Sequence, residues 1–427
     1  MSGTRGRVLI LGADGFIGRH LAFGLRAQGW EVLASARRVT RLKRMGFDVL
    51  KADLTHRKAE TPGFWRPHLR GVTHVVNAAG VLSAPAHIAE SVHVTAPEAL
   101  YQALPKGAGG VLISAVGIER GETDFARYRL AGEEVARDHG LTILRAGLVL
   151  GETSYGGSSL ARGLAALPLL TPVVGRGNQR FNPVHVADLA AAVDHFLIHP
   201  RGPEPQEIGG PETVTQAEML RAMRGWLGLR RVPLLRLPPG LARMMGRLGD
   251  AMRLGPISAT AVAQLEQGVV ARPGEAITGL PQPPRGFSRF LSARPAGTQD
   301  LWHARLYLMR PLLRVVLAFL WLASGLLGLF LPSETFLPLV EGAPLSDQAL
   351  ILLARAGGLI DLAIATALLR GWRPRLMAGV QAAMVVGYTL AFTVLAPALW
   401  LLPLGGLVKN LPVLALIALQ AILEDER

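Results

Sequence analysis

Arg127-Tyr128-Arg129 sets a phenol between two cations, within a stretch of helical character, TDFARYRLAGEE, at residues 123–134. A tyrosine beside a positive charge is a way to build a proton donor near neutral pH, because the cation favours the phenolate. The stretch has no lysine. Arginine stays charged at physiological pH, so Arg129 can bind hydroxyls or phosphate but exchanges no proton. A second chemical signal lies near the start, where the apolar run Val8–Leu11 leads into Gly12-Ala13-Asp14-Gly15-Phe16-Ile17-Gly18. The first glycine permits a tight turn, the second lets a pyrophosphate approach the backbone, and the third allows close helix–strand packing. Phosphates then sit on a helix N-terminus, where free N–H groups and the helix dipole favour anions. A third signal is Arg37-Arg38, at the position where an NAD-specific fold usually carries an acid for the ribose 2′-hydroxyl. Paired guanidinium groups suit a 2′-phosphate, which predicts NADP as the preferred dinucleotide, with NAD as the alternative. The bland alternative is two solvated arginines. No cysteine is present and the eleven histidines are scattered singly, so no metal site is expected.

These groups need elements to hold them. The chain has 427 residues, enough for two or three domains. Apolar runs at 8–11, 31–35, 47–52, 72–77 and 110–113 alternate with helical stretches, the rhythm of a doubly wound parallel sheet. The third run ends in Asp53-Leu54, whose carboxylate suits an adenine amine. The fourth ends in Ala78-Ala79-Gly80, small enough for a cofactor to lie against the backbone, and the fifth runs into Ser114.

LILGADGFIGRHL, ADL, VVNAAG and LISAVG together resemble the extended and atypical short-chain dehydrogenase/reductase superfamily over roughly residues 5–290. The resemblance implies a Rossmann-like fold and a catalytic set: a serine at Ser114, then Tyr-x3-Lys on the next helix, with a glutamate four residues past the lysine. Glu133 sets the register, which places Arg129 where lysine is expected and Phe125 where tyrosine is expected. The alternative register, starting at Tyr128, puts Gly132 in the lysine position. Neither gives the pair. Phenylalanine has no proton to give, so ordinary proton transfer is expected to be lost while the helix still binds cofactor. The candidate catalytic residues are therefore Ser114 and Tyr128. The candidate cofactor-binding residues are Gly12, Asp14, Gly15, Phe16, Ile17, Gly18, Arg37, Arg38, Asp53, Leu54, Ala78, Ala79, Gly80 and Arg129.

Residues 151–182 are glycine- and serine-rich and are expected to line a cleft. His185 and Asp188, in RFNPVHVADLAAAV, read as structural, one orienting a loop and one at a helix start. Between 221 and 253 eight arginines are interleaved with Leu, Met and Trp, which reads either as a membrane-surface contact or as a lid with solvated arginines. Residues 291–310 read as a linker between a first domain (1–290, with a small substrate part at about 151–290) and a second (311–427).

Half of the chain is hydrophobic, and most of the excess lies after residue 310. Residues 315–331, 349–369 and 376–423 predict four membrane spans, with Pro397 and Pro403 breaking the last stretch in two. Arginines flank the first span and fill RGWRPR, while the 332–348 loop carries three acids and no base. The positive-inside rule therefore puts both termini in the cytoplasm, in an inner-membrane protein. The formal charge of +14 would suit nucleic acid or an anionic membrane, and the spans decide for the membrane and against nucleic acid. PLGGLVKNLPVL and the spans before it are similar to DoxX-like membrane domains. Asp361, in the second span, is expected to pair with Lys409, with Arg355 reaching outward or joining them. The whole predicts a membrane-anchored NADP(H)-binding protein, an oxidoreductase on an apolar small molecule or quinone, or alternatively a non-catalytic NADPH-holding sensing or assembly module with a membrane-protein partner.

Overall fold

The computed structural model describes residues 5–254 and 257–424, in two compact units. The first holds residues up to 247 together with 257–301, and the second holds 248–254 with 302–424. The division between the units falls at 301, inside the 291–310 stretch read as a linker. Trp226 donates to Arg294 O at 3.0 Å and Arg162 lies 3.6 Å from Asp300, which secures 294–300 to the first unit.

The first unit is built on seven parallel strands: β1 (Arg7–Leu11), β2 (Glu31–Ala36), β3 (Asp48–Lys51), β4 (Val72–Asn77), β5 (Gly109–Ala115), β6 (Thr142–Ala146) and β7 (Gln206–Ile208). Their order is β7-β6-β5-β4-β1-β2-β3. Leu9 pairs with Leu33 on one side and Val75 on the other. The order reverses at β1, so the crevice beyond the ends of β1 and β4 is the topological switch point where such sheets take ligands. Both faces are covered, and β1 shows why its run is continuously apolar. Val8 and Ile10 point into one core with α1 (Phe16–Ala27), while Leu9 and Leu11 point into the opposite core with α2 (Ala96–Ala103) and α3 (Asp124–Asp138). Residues 142–150 form two pieces, β6 and a short Val149–Leu150 strand paired with Val184–His185. α4 (Gly157–Ala165), α5 (Val186–Ile198) and α6 (Gln216–Trp226) follow. α6 starts with a capping box between Thr215 and Glu218.

The second unit contains α7 (Met309–Phe330), α8 (Asp347–Leu369), α9 (Pro374–Leu395) and α10 (Asn410–Leu423). With the 3-10 turns that lead into α10, these make four helices long and apolar enough to cross a membrane. The break between the last two falls at the 3-10 segments beginning at Pro397 and Pro403, as the prolines predicted. α7 and α8 meet through glycines: a Cβ on Gly358 would lie 2.8 Å from Gly325 O. Such close small-residue packing stands in for the hydrophobic effect where lipid surrounds the helices. The distribution of polarity is that of a membrane bundle. Gln381 and Gln420 are fully buried and hydrogen bonded to each other at 3.1 Å, whereas Val394 and Phe319 are largely exposed.

The expected Asp361–Lys409 pair is not what the bundle forms. Asp361 accepts hydrogen bonds from Ser324 (2.6 Å) and Tyr388 (2.9 Å), and Lys409 is exposed on a 3-10 turn with its stem against Gly405. Hydroxyls on two neighbouring helices saturate the carboxylate. Arg355 instead donates to Gly328 O and Leu331 O, satisfying carbonyls at the end of α7.

Candidate functional site

The glycine loop forms a cradle that only glycine permits. Gly12 has φ +72°, and a Cβ there would lie 2.9 Å from Ala78 O and from the Ala79 backbone. A Cβ on Gly18 would collide with Gly12 O. Gly15 is the extended N-cap residue of α1, gives no side-chain cap and is followed by no acid in the first turn. The N–H groups of that turn are thus open to an anion. Phe16 and Ile17 start the helix. Asp14 lies 3.8 Å from Arg41, and its carbonyl accepts from Arg19 at 2.8 Å. Arg37 and Arg38 are exposed immediately past β2. Asp53, past β3, is bound by the Thr55 N–H (3.0 Å) and hydroxyl (2.8 Å), and Leu54 behind it is buried. Burial pushes the Asp53 carboxyl up, but the Thr55 bonds and Arg37 together hold it below the usual range.

Beyond the end of β4, Asn77 holds the small-residue loop in shape. Its oxygen accepts from Ala79 N (3.1 Å) and its amide donates to the buried Tyr101 hydroxyl (2.8 Å), which burial pushes up to about 12. Here α3 presents three residues at four-residue spacing to the sheet. Phe125 packs edge-on against His93 at 5.9 Å. Arg129, buried, donates to Ala79 O (3.1 Å), to Ile113 O and to His93 Nδ1 (3.1 Å). Glu133, buried, takes a two-pronged bond from Arg145 on β6 at 2.9 and 2.7 Å. Phe125, Arg129 and Glu133 thus share one inward face of α3. Gly132 belongs to packing, since a Cβ there would strike His93 O. Tyr128 is half-buried, with no hydrogen bond among the described residues.

Arg129 thus braces the ends of β4 and β5. Burial lowers it to about 10, so it remains a cation at neutral pH. Its Nε and the Ser114 hydroxyl, both buried, have no hydrogen-bond partner among the described residues. Buried polar atoms without partners are uncommon and call for an explanation, of which a bound group is one. Because arginine only donates, His93 Nδ1 must accept, and Nε2–H then donates to Val81 O at 3.0 Å. Burial first, and Arg129 second, lower His93 to about 4, so it is neutral.

A second group of residues draws Gly151, Glu152 and Arg162 from the stretch expected to line a cleft, and others that sequence reasoning did not place there. Leu150, Gly151, Glu152, Arg162, His185, Met223, Trp226, Arg285, Phe290 and Arg294 line a pocket in the same unit. The Arg162 and Arg294 guanidinium groups lie over the Trp226 ring, each 5.1 Å from its centre. Both pair with the single carboxylate of Asp300, which offsets one of the two charges, and Asp188 pairs with Arg285 at 2.9 Å. His185 caps α5 through Nδ1, which also accepts from Arg285 (2.7 Å), and Nε2 faces Glu152 at 3.2 Å. Both His185 and Asp188 are therefore held in structural contacts, as read from the sequence. The pocket adjoins the cradle: a Cβ at Gly151 would lie 3.5 Å from the Phe16 ring. These residues are dispersed over more than a hundred positions, and no spacing announces them. Among the described residues no cluster could hold a metal ion.

Two family matches accompany this geometry. The NAD dependent epimerase/dehydratase family matches residues 8–103, and the DoxX-like family matches residues 318–418. Residues 8–103 are thus epimerase/dehydratase-like, and the chain fuses this part to a DoxX-like domain with four helices apolar enough to cross a membrane. No curated protein matches the chain. Among solved structures, a UDP-glucuronic acid 4-epimerase from Bacillus cereus, in complex with UDP-glucuronic acid and NAD, is similar at 17% identity. It covers 67% of this chain and 97% of its own, with a TM-score of 0.50. A dTDP-glucose 4,6-dehydratase from Streptomyces venezuelae, with NAD bound, is also similar at 17% identity, covering 67% of this chain and 96% of its own, with a TM-score of 0.50. At such identities the likeness shows the fold alone.

Proposed function

We propose that this chain is a membrane-anchored, NADP(H)-binding oxidoreductase whose acceptor is apolar or membrane-borne, a quinone or conjugated carbonyl, and needs little protonation by the protein. The observation that carries the reading is the fate of the Phe125–Arg129 pair. The cradle for a dinucleotide is intact, while the residues at the proton-relay positions are a hydrocarbon ring and a buried arginine committed to backbone carbonyls. Epimerisation or dehydration of a nucleotide sugar would need the relay that this pair lacks.

The dinucleotide fits the residues present. Gly12, Gly15 and Gly18 leave room for the pyrophosphate on the start of α1, with Asp14, Phe16 and Ile17 in the same turn. Arg37 and Arg38 would take the 2′-phosphate, Asp53 and Leu54 the adenine, and Ala78, Ala79 and Gly80 the backbone side of the cofactor. Bound there, the nicotinamide would supply a hydride. Arg129 fixes the Ala79 carbonyl and offers Nε inward, the Ser114 hydroxyl donates to the acceptor oxygen, and Tyr128 is the candidate second donor. In the pocket, Leu150, Met223 and Phe290 offer an apolar wall for the acceptor, while Arg162 and Arg294 cover the Trp226 ring. The charge asymmetry of the loops supports an inner-membrane protein with this unit and both termini on the cytoplasmic side, where NADPH is available.

A second reading, a non-catalytic NADPH-holding module that serves assembly or redox sensing through a membrane-protein partner, is favoured by one observation: Tyr128 has no hydrogen bond among the described residues. The test is to purify the full chain in detergent, identify any bound nucleotide, and follow nicotinamide absorbance as quinones and enones are added. Acceptor-dependent oxidation supports the enzyme. Bound nucleotide that no acceptor oxidises supports the module.

A further inference from the structure

The helix Pro239–Ala251 is built the wrong way round for a protein in water. Its buried residues are Ala242, Gly246 and Gly249, spaced by four and three positions. Gly246 packs so closely that a Cβ would lie 2.9 Å from Ser258 O and 3.0 Å from Ala259. The large apolar residues face outward: Leu241 is 39% exposed, Met244 60%, Met245 44% and Leu248 57%. At about 100° per residue these four share one arc, roughly 100° away from the small buried face. Arg243 and Arg247 occupy the remaining arc, with Arg247 only about 60° from Met244. A soluble amphipathic helix would bury the leucine and methionines and leave the alanine and glycines outside.

The flanking sequence adds charge. Between 230 and 254 the sequence holds six arginines and a single acid, Asp250, and of these arginines Arg243 pairs with Glu266 at 3.2 Å. The segment is also continuous with the bundle, since residues 248–254 belong to the second unit. There, Met252 O accepts from Arg314 at 3.2 Å, near the start of α7 and beside Gly371 just past the end of α8. Met252 therefore sits at the end of the bundle where one span begins and another finishes, which for a spanning bundle is the height of the lipid headgroups.

We propose that helix Pro239–Ala251 lies in the interface of an anionic bilayer leaflet, with Leu241, Met244, Met245 and Leu248 among the acyl chains and Arg247 against lipid phosphates. An apolar arc bordered by arginine and a cationic flank is what an in-plane helix presents to such a surface. The inference rests on the four apolar helices crossing a bilayer, and a label on one of them keeps the two claims separable.

The chain has no cysteine, so single cysteines can be introduced cleanly. Nitroxide labels at Met244→Cys, Leu248→Cys, Val394→Cys (outer face of α9) and Arg120→Cys (exposed in the first unit) are placed in the full chain. The protein is reconstituted in phosphatidylcholine vesicles with and without phosphatidylglycerol. Labels at 244 and 248 should collide several-fold more with oxygen than with a water-soluble nickel chelate, as 394 should, while 120 shows the reverse. The lipid character at 244 and 248 should strengthen with phosphatidylglycerol, and Arg247→Gln should remove that dependence. Nickel access at 244 and 248 with 394 in lipid would overturn the inference and leave the spans standing. Shielding from both reagents, with spin–spin broadening, would mean that a second copy covers the face, and would overturn it too. Nickel access at 394 would overturn the membrane reading and this inference together.

Discussion

Acid should weaken the first unit through His93, and the size of the effect follows from its surroundings. His93 is 3% exposed, accepts from Arg129 through Nδ1 and donates to Val81 O through Nε2. Protonation would place a second cation against Arg129 and break that bond. The ring is therefore lowered from 6.5 to about 4 in the folded chain, burial being the larger cause. The unfolded chain takes up this proton near pH 6.5 and the folded chain does not until about pH 4. Stability must then fall as the pH drops through that window, by roughly 3 kcal/mol at 1.36 kcal/mol per tenfold change in proton affinity. His20, His74, His185 and His195 are also lowered, so the contribution is isolated by difference. In His93→Gln the side chain can still accept from Arg129 and donate to Val81 O but does not titrate. The assay is hydrogen exchange of β4 and β5 peptides in the full chain, comparing parent and variant at each pH, which reports the first unit while the membrane unit stays folded. The opening free energy of the parent should decline about 3 kcal/mol more than that of the variant between pH 7 and pH 4. Equal declines would refute the neutral, arginine-bound histidine.

Three other outcomes follow from the same contacts. Gly12→Val should abolish dinucleotide binding, because its Cβ would lie 2.9 Å from Ala78 O and the Ala79 backbone; calorimetric titration showing parental affinity would contradict the cradle. Phe125→Tyr with Arg129→Lys should raise turnover on simple carbonyls while lowering the melting temperature, since lysine has one nitrogen where Arg129 reaches Ala79 O and Ile113 O with two; efficient reduction by the parent, unchanged in Phe125→Ala, would show that the register is wrong. In detergent melts, Asp361→Asn and Tyr388→Phe should be non-additive by about 0.5–2 kcal/mol, whereas Lys409→Met should add independently to either; coupling to Lys409 instead would reverse the assignment of partners.

Much of the fold could be read from the chain because strand and helix periods act locally. Val8–Leu11 is apolar throughout since both its faces are covered, and the glycine spacing reports a turn that only glycine can make. The edge strand β7, three residues reading QEI, leaves no such trace. Within the site, the departure at Phe125 and Arg129 was visible, and Glu133 reads as an anchor in sequence and structure alike. What Arg129 does was not visible, because two of its partners are backbone carbonyls that every residue carries. His93 lies in a π-helical turn, Ser91–Thr95, that no periodic pattern marks. In the bundle, helical spacing located Asp361 along its span but fixed neither the rotation of α8 nor the outward course of Lys409. The hydroxyls of Ser324 and Tyr388, ordinary in sequence, are what decide its contacts.

The central claim is a dinucleotide site that selects the phosphorylated cofactor through Arg37 and Arg38. Its most direct test is equilibrium titration of the full chain in detergent with NADPH and NADH, for the parent and for the Arg37→Ala, Arg38→Ala double variant, at fixed ionic strength. The account predicts that the parent binds NADPH more tightly, and that the double variant loses about 2–4 kcal/mol for NADPH, as charge-assisted bonds to phosphate do, with little change for NADH. Equal affinity of the parent for the two nucleotides, or no binding of either, would contradict it.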